Sequence, residues 1–420
     1  MKYGLIAKKL SHSFSKEIHG KLFDYDYQLR EIPEQELGSF LEKREFTGIN
    51  VTLPYKETVI PYLDEISERA AAIGAVNTIV SRCGKLYGDN TDFSGMAALI
   101  DRAGICLKDK KVLILGSGGT SKTANAVASY LQCKAVYRVS RSGRDGCISY
   151  EAAVKNHSDA QIIINTTPCG MYPELGKSAV DIGAFPALEG VVDAVYNPLR
   201  SALVCDALEK GIPAVGGLYM LVAQAAYAAQ LFVNETVPQE KIEEIYRQMR
   251  RQKENIVLIG MPGCGKSTVG KQLAESLGMD FIDTDEEIVR QAGRDIPQIF
   301  AQEGEASFRD RESAVVAQVA ARQNGVIATG GGVVLRKENM RFLRQNGRIY
   351  FIDRPLEALE ATPDRPLSCN RQALARRYQE RYGIYCAVCD RRIPSEGATE
   401  DIGQVIKEDF ADEDFGHQRT

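Results

Sequence analysis

Short β-branched and aliphatic runs recur along the 420-residue chain, and between them lie stretches whose apolar positions return every three or four residues. Runs of the first kind read as buried strands, and stretches of the second kind as helices with one apolar face. The pattern predicts strands over 3–6, 48–52, 78–81, 111–115, 135–139, 161–165, 191–195 and 256–259, with helices over 122–131, 239–253 and 268–277 among those that connect them. Such alternation is the mark of α/β layers on parallel sheets, and no internal repeat interrupts it. The weakest join is the charged helix over 239–253, which ends in RQMRRQK before the apolar run at Ile256. Basic residues at a helix C-terminus suit the macrodipole, so the charge run reads as a solvated face. The predicted division is therefore 1–102, 103–238, a helical linker over 239–253, 254–410, and an acidic tail over 411–420.

Two glycine-rich loops of different design follow predicted strands. GMPGCGKS over 260–267 satisfies G-x-x-x-x-G-K-[ST] directly after the run at 256–259. In such a loop the backbone of Gly263, Cys264 and Gly265 cradles phosphates, with Thr268 following, while Lys266 reaches the β/γ oxygens and Ser267 ligates Mg²⁺. GSGGTS over 116–121 lies between the strand at 111–115 and a helical stretch, as a dinucleotide-binding turn does, offering Gly116, Ser117, Gly118, Gly119 and Thr120 to a pyrophosphate. Ser121 stands where a third glycine is usual. The next strand ends in Ser140, Arg141 and Ser142; an acidic residue there holds a ribose 2′-hydroxyl, whereas an arginine suits a 2′-phosphate, so the expected cofactor is NADP(H) and not NAD.

The bulk composition narrows the partners. With 44% hydrophobic and 26% charged residues and a formal net charge of −4, the chain reads as a globular protein whose partners are small molecules, with no general surface for nucleic acid or anionic membrane. No apolar run reaches the roughly 18 residues of a membrane span, and the N-terminus lacks a signal-peptide pattern, so the expected location is cytoplasmic. The ten cysteines form no framework and no disulfides are expected. Cys386 and Cys389 form a lone C-x-x-C pair in a chain with four histidines, too little for a zinc site. The oligomeric state stays open.

The polar clusters of the front half are SHSFS (11–15), NVTLPYK (50–56), GAVNT (74–78), GDNTDF (88–93), INTTPCGM (164–171) and GLYMLVAQA (217–225). With GSGGTS, they resemble shikimate dehydrogenase in order along about 230 residues. Reducing a ketone needs a proton donor for the developing alkoxide, and Lys56 paired with Asp92 can provide one. The resemblance implies that these two are the catalytic lysine and aspartate. It further implies that Ser13, Ser15, Thr52, Asn77 and Gln224 hold the oxygens of a polyhydroxylated acid, that Tyr196 stands near that substrate, and that Gly217 lies by the cofactor. It implies a substrate-binding domain over 1–102 and a Rossmann-type NADP domain over 103–238, whose last helices return to the first. Gly216 departs from the acidic residue of many relatives, and the glycine-rich segment after Arg141 blurs any match for Arg144.

Behind the second loop come FIDTD with Asp283 and Asp285, SFRDRE (307–312) and ATGGG (328–332). This order resembles shikimate kinase over about 155 residues, a P-loop parallel α/β domain of the nucleoside-monophosphate-kinase kind. The resemblance implies that Asp283 supports Mg²⁺, that Asp285 contacts and orients the attacking hydroxyl, and that Arg309 and Arg381 grip the acceptor's carboxylate. It places the amides of Gly331 and Gly332 along the ring, Arg365 of DRPL (364–367) on a lid closing over the transferred phosphate, and Arg392 and Pro394 under the adenine. The lid segment looks short, and Ala361 or a neighbour falls where relatives carry an adenine-stacking arginine.

Taken together, these readings describe a bifunctional enzyme of aromatic amino-acid precursor synthesis that uses NADP(H), ATP and Mg²⁺ on 3-dehydroshikimate and shikimate. Two alternatives stand beside it. The front half could be a quinate/shikimate dehydrogenase, for which NAD use is expected, or one half could be a ligand-sensing module without catalysis. Arg141 argues against the first alternative, and the presence of Lys56, Asp92, Lys266, Ser267 and Asp283 argues against the second.

Overall fold

Three sheets carry the chain, in a computed structural model that describes residues 1–10, 13–144, 146–359, 371–395 and 399–411. The first sheet contains β1 (Tyr3–Ala7), β2 (Tyr27–Glu31), β3 (Gly48–Val51), β4 (Glu65–Ile66), β5 (Thr78–Arg82) and β6 (Lys85–Asp89) in the order β2-β1-β3-β5-β6-β4. It is mixed: β5 runs antiparallel to both β3 and β6. The reversal is a two-residue turn at Cys83 and Gly84, both with positive φ (50° and 76°), the backbone that matches the twist of paired strands. Helix–strand alternation alone does not reveal this hairpin.

The second sheet holds β7 (Lys111–Leu115), β8 (Ala135–Val139), β9 (Ile162–Asn165), β10 (Gly190–Asp193) and β11 (Ala214–Val215), all parallel, in the order β11-β10-β9-β7-β8. Its first strand lies between its second and third, so the chain reverses direction across the sheet at the end of β7, where parallel sheets open a crevice for ligands. The strand predicted over 191–195 stops at Asp193 because that side chain accepts from the Val195 amide (2.9 Å) and from Asn165 Nδ2 (2.9 Å), folding the chain out of the ladder.

The third sheet holds β12 (Asn255–Ile259), β13 (Asp280–Asp283), β14 (Gly325–Ala328), β15 (Gly347–Asp353) and β16 (Arg391–Pro394), parallel throughout, in the order β13-β14-β12-β15-β16. Every residue of β12, β14 and β15 is buried, as expected of parallel strands covered by helices on both faces.

The chain divides into two units, one of Met1–Met171, Lys177–Asn197 and Leu203–Met249, the other of Tyr172–Gly176, Pro198–Ala202 and Arg250–Thr420. The helix Gln239–Arg251 belongs to the first unit through Met249. It is a packed element and not a solvated connector: Ile242, Ile245 and Met249 form a buried stripe, Glu243 pairs with Arg102 at 2.9 Å, and Gln239 donates to the Tyr219 hydroxyl at 2.6 Å. The predicted linker over 239–253 overlooks this stripe, since only three of the apolar positions carry it.

Behind the first sheet His19 is 1% exposed, its ring stacked 4.0 Å from Tyr27, with Nδ1 2.6 Å from the Tyr25 hydroxyl. Burial lowers its pKa from 6.5 to about 3, against a smaller raising effect of Asn50. A depressed folded pKa means that the unfolded chain binds more protons between those values, so stability is full above pH 6.5 and falls with acidification. Unfolding of the first unit followed in urea is expected to lose about 2 kcal/mol between pH 7 and 5. His19→Phe should flatten that slope; an equal slope in the variant would assign the pH dependence elsewhere.

Candidate active sites

A cavity of about 410 Å³ in the first unit gathers residues from distant parts of the front half: Ser13, Ser15, Thr52, Lys56, Asn77, Asp92, Tyr196 and Gln224 all line it, together with Thr120 and Gly217 of the expected cofactor set. Local structure places each of them. Thr52 leaves β3 with its amide bonded to the Ile6 carbonyl, and the short helix Tyr55–Thr58 then carries Lys56, whose carbonyl accepts from Val76 at 2.8 Å. Asp92 sits in the first turn of Thr91–Arg102, capped by Asn90. Lys56 Nζ and Asp92 Oδ2 are 2.6 Å apart, with both side chains about one-fifth exposed (22% and 20%). Gln224 rises from Leu218–Val233 and donates to the Leu221 carbonyl, leaving its own oxygen unengaged by that bond. Ser13 accepts from the Ser15 amide at 3.2 Å, and burial raises the pKa of the Tyr196 hydroxyl, keeping it protonated. Phe14, edge-on to Tyr196 at 6.1 Å, and Asn50 also line the cavity. Both lie within polar clusters, Phe14 in SHSFS and Asn50 in NVTLPYK, whose pattern alone gives them no role.

The glycine loop follows β7 at the reversal point. Gly116 has φ 116°, and a Cβ there would stand 2.5 Å from Thr166 Oγ1. Ser121, in the third-glycine position, is fully buried and donates to the Gly116 carbonyl at 2.7 Å, so the serine closes the loop from within. Gly118 and Gly119 face open space at the N-terminus of the helix Gly119–Tyr130, the donor-rich end that receives a pyrophosphate. At the end of β8, Ser140 Oγ accepts from Gly143 N and Ser142 Oγ from Arg144 N, shaping a turn that leaves Arg141 exposed. The open helix end and the unencumbered guanidinium side fit a dinucleotide carrying a 2′-phosphate.

In the second unit the P-loop follows β12, the central strand. Lys266, 8% exposed, donates to the Gly260 carbonyl (3.0 Å) and to that of Met261 (2.9 Å), with Cys264 Sγ 3.6 Å away. Gly265 precedes the helix Lys266–Leu277, Gly263 and Thr268 are exposed, and Cys264 is buried. Ser267 donates to Asp283 Oδ2 at 2.7 Å, while Asp283 Oδ1 caps Thr284–Ala292 by accepting from the Asp285 amide. A hydroxyl and one carboxylate are a hard-oxygen pair suited to Mg²⁺, which takes its other ligands from water and phosphate. Among the described residues no group of three or more His, Cys, Asp or Glu could hold a metal.

The three glycines after β14 are a close-packed passage. A Cβ on Gly330 would stand 2.6 Å from Asp285 Oδ1, one on Gly331 2.8 Å from Pro262 of the P-loop, and one on Gly332 would overlap the Arg309 guanidinium. The run thereby joins the P-loop, Asp285 and Arg309. Arg381, 4% exposed, donates to the Gly331 carbonyl at 3.0 Å. Arg309 pairs with Glu312 at 2.8 Å; burial raises the pKa of Glu312 and Arg309 offsets part of that rise. Buried Glu312 is the counter-ion of this arginine pair, and sequence reasoning missed it. Arg392 pairs with Asp353 at 2.6 Å over the Tyr382 ring, and Pro394 pairs with Asp353 in the sheet. Arg365 and Ala361 lie outside the described residues. The nine described cysteines, Cys386 and Cys389 among them, are free thiols.

Residues 5–79 match the family model of the shikimate dehydrogenase substrate binding domain, and residues 262–411 match shikimate kinase. The shikimate dehydrogenase (NADP(+)) of Clostridium perfringens is 35% identical over 272 residues, spanning 59% of this chain and 98% of that protein. The chain belongs to the shikimate dehydrogenase family. A shikimate kinase domain occupies its C-terminal part, so it is a fusion of the two. A chorismate mutase/shikimate 5-dehydrogenase fusion protein from Clostridium acetobutylicum superposes with a TM-score of 0.56 at 34% identity, covering 59% of this chain and 96% of that one. Shikimate 5-dehydrogenase from Thermus thermophilus in complex with NADP(H) and shikimate gives a TM-score of 0.53 at 27% identity, covering 59% and 99%. The dehydrogenase part therefore spans nearly the full length of its relatives. No helix among the described residues is long and apolar enough to cross a membrane.

Proposed function

We propose that the chain carries out two consecutive reactions on one ring: NADPH-dependent reduction of 3-dehydroshikimate to shikimate, then ATP- and Mg²⁺-dependent phosphorylation of the 3-hydroxyl just formed. One observation carries the reading: the Lys56–Asp92 pair faces a cavity whose polar wall also reaches Thr120 of the glycine loop and Gly217. Bound NADPH supplies the hydride. Lys56 Nζ gives a proton to the carbonyl oxygen as it becomes a hydroxyl, while Asp92 takes one of the ammonium N–H bonds and aims the others into the cavity. Ser13, Ser15, Thr52, Asn77, Tyr196 and Gln224 supply donors and acceptors for the remaining substrate oxygens.

In the kinase domain ATP with Mg²⁺ supplies the phosphoryl group. Ser267 and Asp283 hold the metal, and Lys266 and the P-loop amides hold the phosphates. Arg309 and Arg381 hold the acceptor's carboxylate, Asp285 orients its hydroxyl, and Arg365 and Arg392 serve the lid and the adenine. The substrates are small molecules, and the location that suits such an enzyme is the cytoplasm.

The test is a coupled assay with 3-dehydroshikimate, NADPH, ATP and Mg²⁺. One NADP⁺ and one ADP should form per ring, and without ATP the product should stop at shikimate; consumption of a single nucleotide only would overturn the reading. Cofactor choice is a separate prediction. Arg141→Ala removes a charge-assisted bond to the 2′-phosphate, so the KM for NADPH should rise about 10- to 100-fold while that for NADH stays near its starting value. Equal KM changes for both cofactors would return the quinate/shikimate dehydrogenase alternative to favour.

A further inference from the structure

Behind the substrate wall of the first unit a hydrogen-bond chain runs in one direction. The buried Tyr27 hydroxyl donates to Asn50 Oδ1 at 2.7 Å. Asn50 Nδ2 donates to Thr78 Oγ1 at 3.1 Å and to the Asn77 carbonyl at 3.3 Å, so both ends of this amide are committed inside the protein. Thr78 Oγ1 in turn donates to Asn77 Oδ1 at 3.0 Å. The same Asn77 oxygen receives the Thr91 amide at 2.7 Å and lies 3.2 Å from Thr91 Oγ1. Tyr27, Asn50, Thr78, Thr91 and Asn77 are each no more than 6% exposed. Burial pushes the pKa of the Tyr27 hydroxyl well up, so the chain keeps its first proton.

The Thr78 and Thr91 hydroxyls lie 3.1 Å apart and one can donate to the other. The Thr91 amide and at least one of these hydroxyls still converge on a single atom of Asn77, which identifies it as the oxygen and leaves its Nδ2 as the end that meets the cavity, which Asn77 lines. Donors strung head to tail polarise one another, and a carbonyl oxygen whose two lone pairs already receive donors from inside the protein has no capacity for a ligand's N–H or O–H. We infer that Tyr27, Asn50, Thr78 and Thr91 are positioning residues that lock Asn77 as a pure hydrogen-bond donor, making the site specific for a ring substituent that offers an oxygen lone pair. A substituent with donors only, such as an ammonium in place of that oxygen, meets two N–H groups and is refused. The inference rests on the proposed reductase reading for the identity of the ring, and not for the direction of the chain.

Thr78→Val keeps the shape of the side chain and cuts the relay. The expected result is an increase of about tenfold in both the KM for 3-dehydroshikimate and the Kd for shikimate at the dehydrogenase site, measured by calorimetry in an Arg381→Ala background that removes the kinase domain's hold on the carboxylate, with the KM for NADPH and, in the single variant, the phosphorylation rate unchanged. Thr78→Ser, which restores the hydroxyl, should return both constants to wild-type values, and Tyr27→Phe, which keeps the ring, should move them the same way by a smaller factor. A Thr78→Val protein with wild-type shikimate affinity overturns the inference, as does a Thr78→Ser protein as impaired as Thr78→Val. Arg381→Ala protein that binds shikimate without reducing the ketone would instead overturn the reductase reading, and the affinities would still decide the relay.

Discussion

Lys56→Ala should lower NADPH oxidation with 3-dehydroshikimate by about 10²–10⁴-fold, the range a positioned general acid supplies. The loss should appear in kcat, because the ring is held mainly by other groups of the cavity wall and the proton is needed only as the carbonyl oxygen gains charge. Backbone order should survive: the Lys56 carbonyl, not its side chain, accepts from Val76. Asp92 loses its partner at 2.6 Å, and Asp92→Asn, which removes the carboxylate that aims the Lys56 ammonium, should likewise lower kcat. Phosphorylation of added shikimate should continue at the wild-type rate, serving as an internal control for folding of the chain. An unchanged rate of NADPH oxidation in Lys56→Ala would remove the acid assignment.

The parts of these sites that are legible in sequence are those whose chemistry is local. A glycine loop between a strand and a helix declares itself, because the phosphate-binding amides come from consecutive residues, and both loops lie at the ends of the strands predicted for them, β7 and β12. The Lys56–Asp92 pair needs two residues 36 positions apart; it became legible only because each lies in its own recognisable cluster. What stayed hidden are partners chosen by packing. Ser121 looked like a departure from the glycine pattern, yet it bonds the Gly116 carbonyl five residues back. Glu312 sits one turn from Arg309 within a charged run, where burial cannot be read from spacing. The Tyr27–Asn50–Thr78 chain joins β2, β3 and β5, and its register depends on the antiparallel pairing of β3 with β5 that alternation does not predict. Arg381 is assigned to the acceptor's carboxylate only through the resemblance, since helical spacing does not show that it is buried against the Gly331 carbonyl.

Lys266→Ala should reduce ADP release by at least about 10²–10³-fold, the usual cost of removing one preorganised donor from a charged transition state. Here the lysine has two tasks, which separate by measurement. It is nearly buried and bridges the carbonyls of Gly260 and Met261 at 3.0 and 2.9 Å, so its loss leaves two acceptors of the loop without that donor and should cost on the order of 1–3 kcal/mol in the stability of the second unit. When phosphates enter the loop, the same Nζ is the cation within reach, and its loss should weaken ATP binding less than it slows transfer, because charge on the bridging oxygens grows toward the transition state. Lys266→Arg should not rescue, since a planar fork does not fit a pocket shaped for one compact ammonium beside Cys264. Reduction of 3-dehydroshikimate should be untouched in both variants. Wild-type ADP release by Lys266→Ala would show that phosphoryl transfer does not take place on this loop, and the reading of the back half would fall with it.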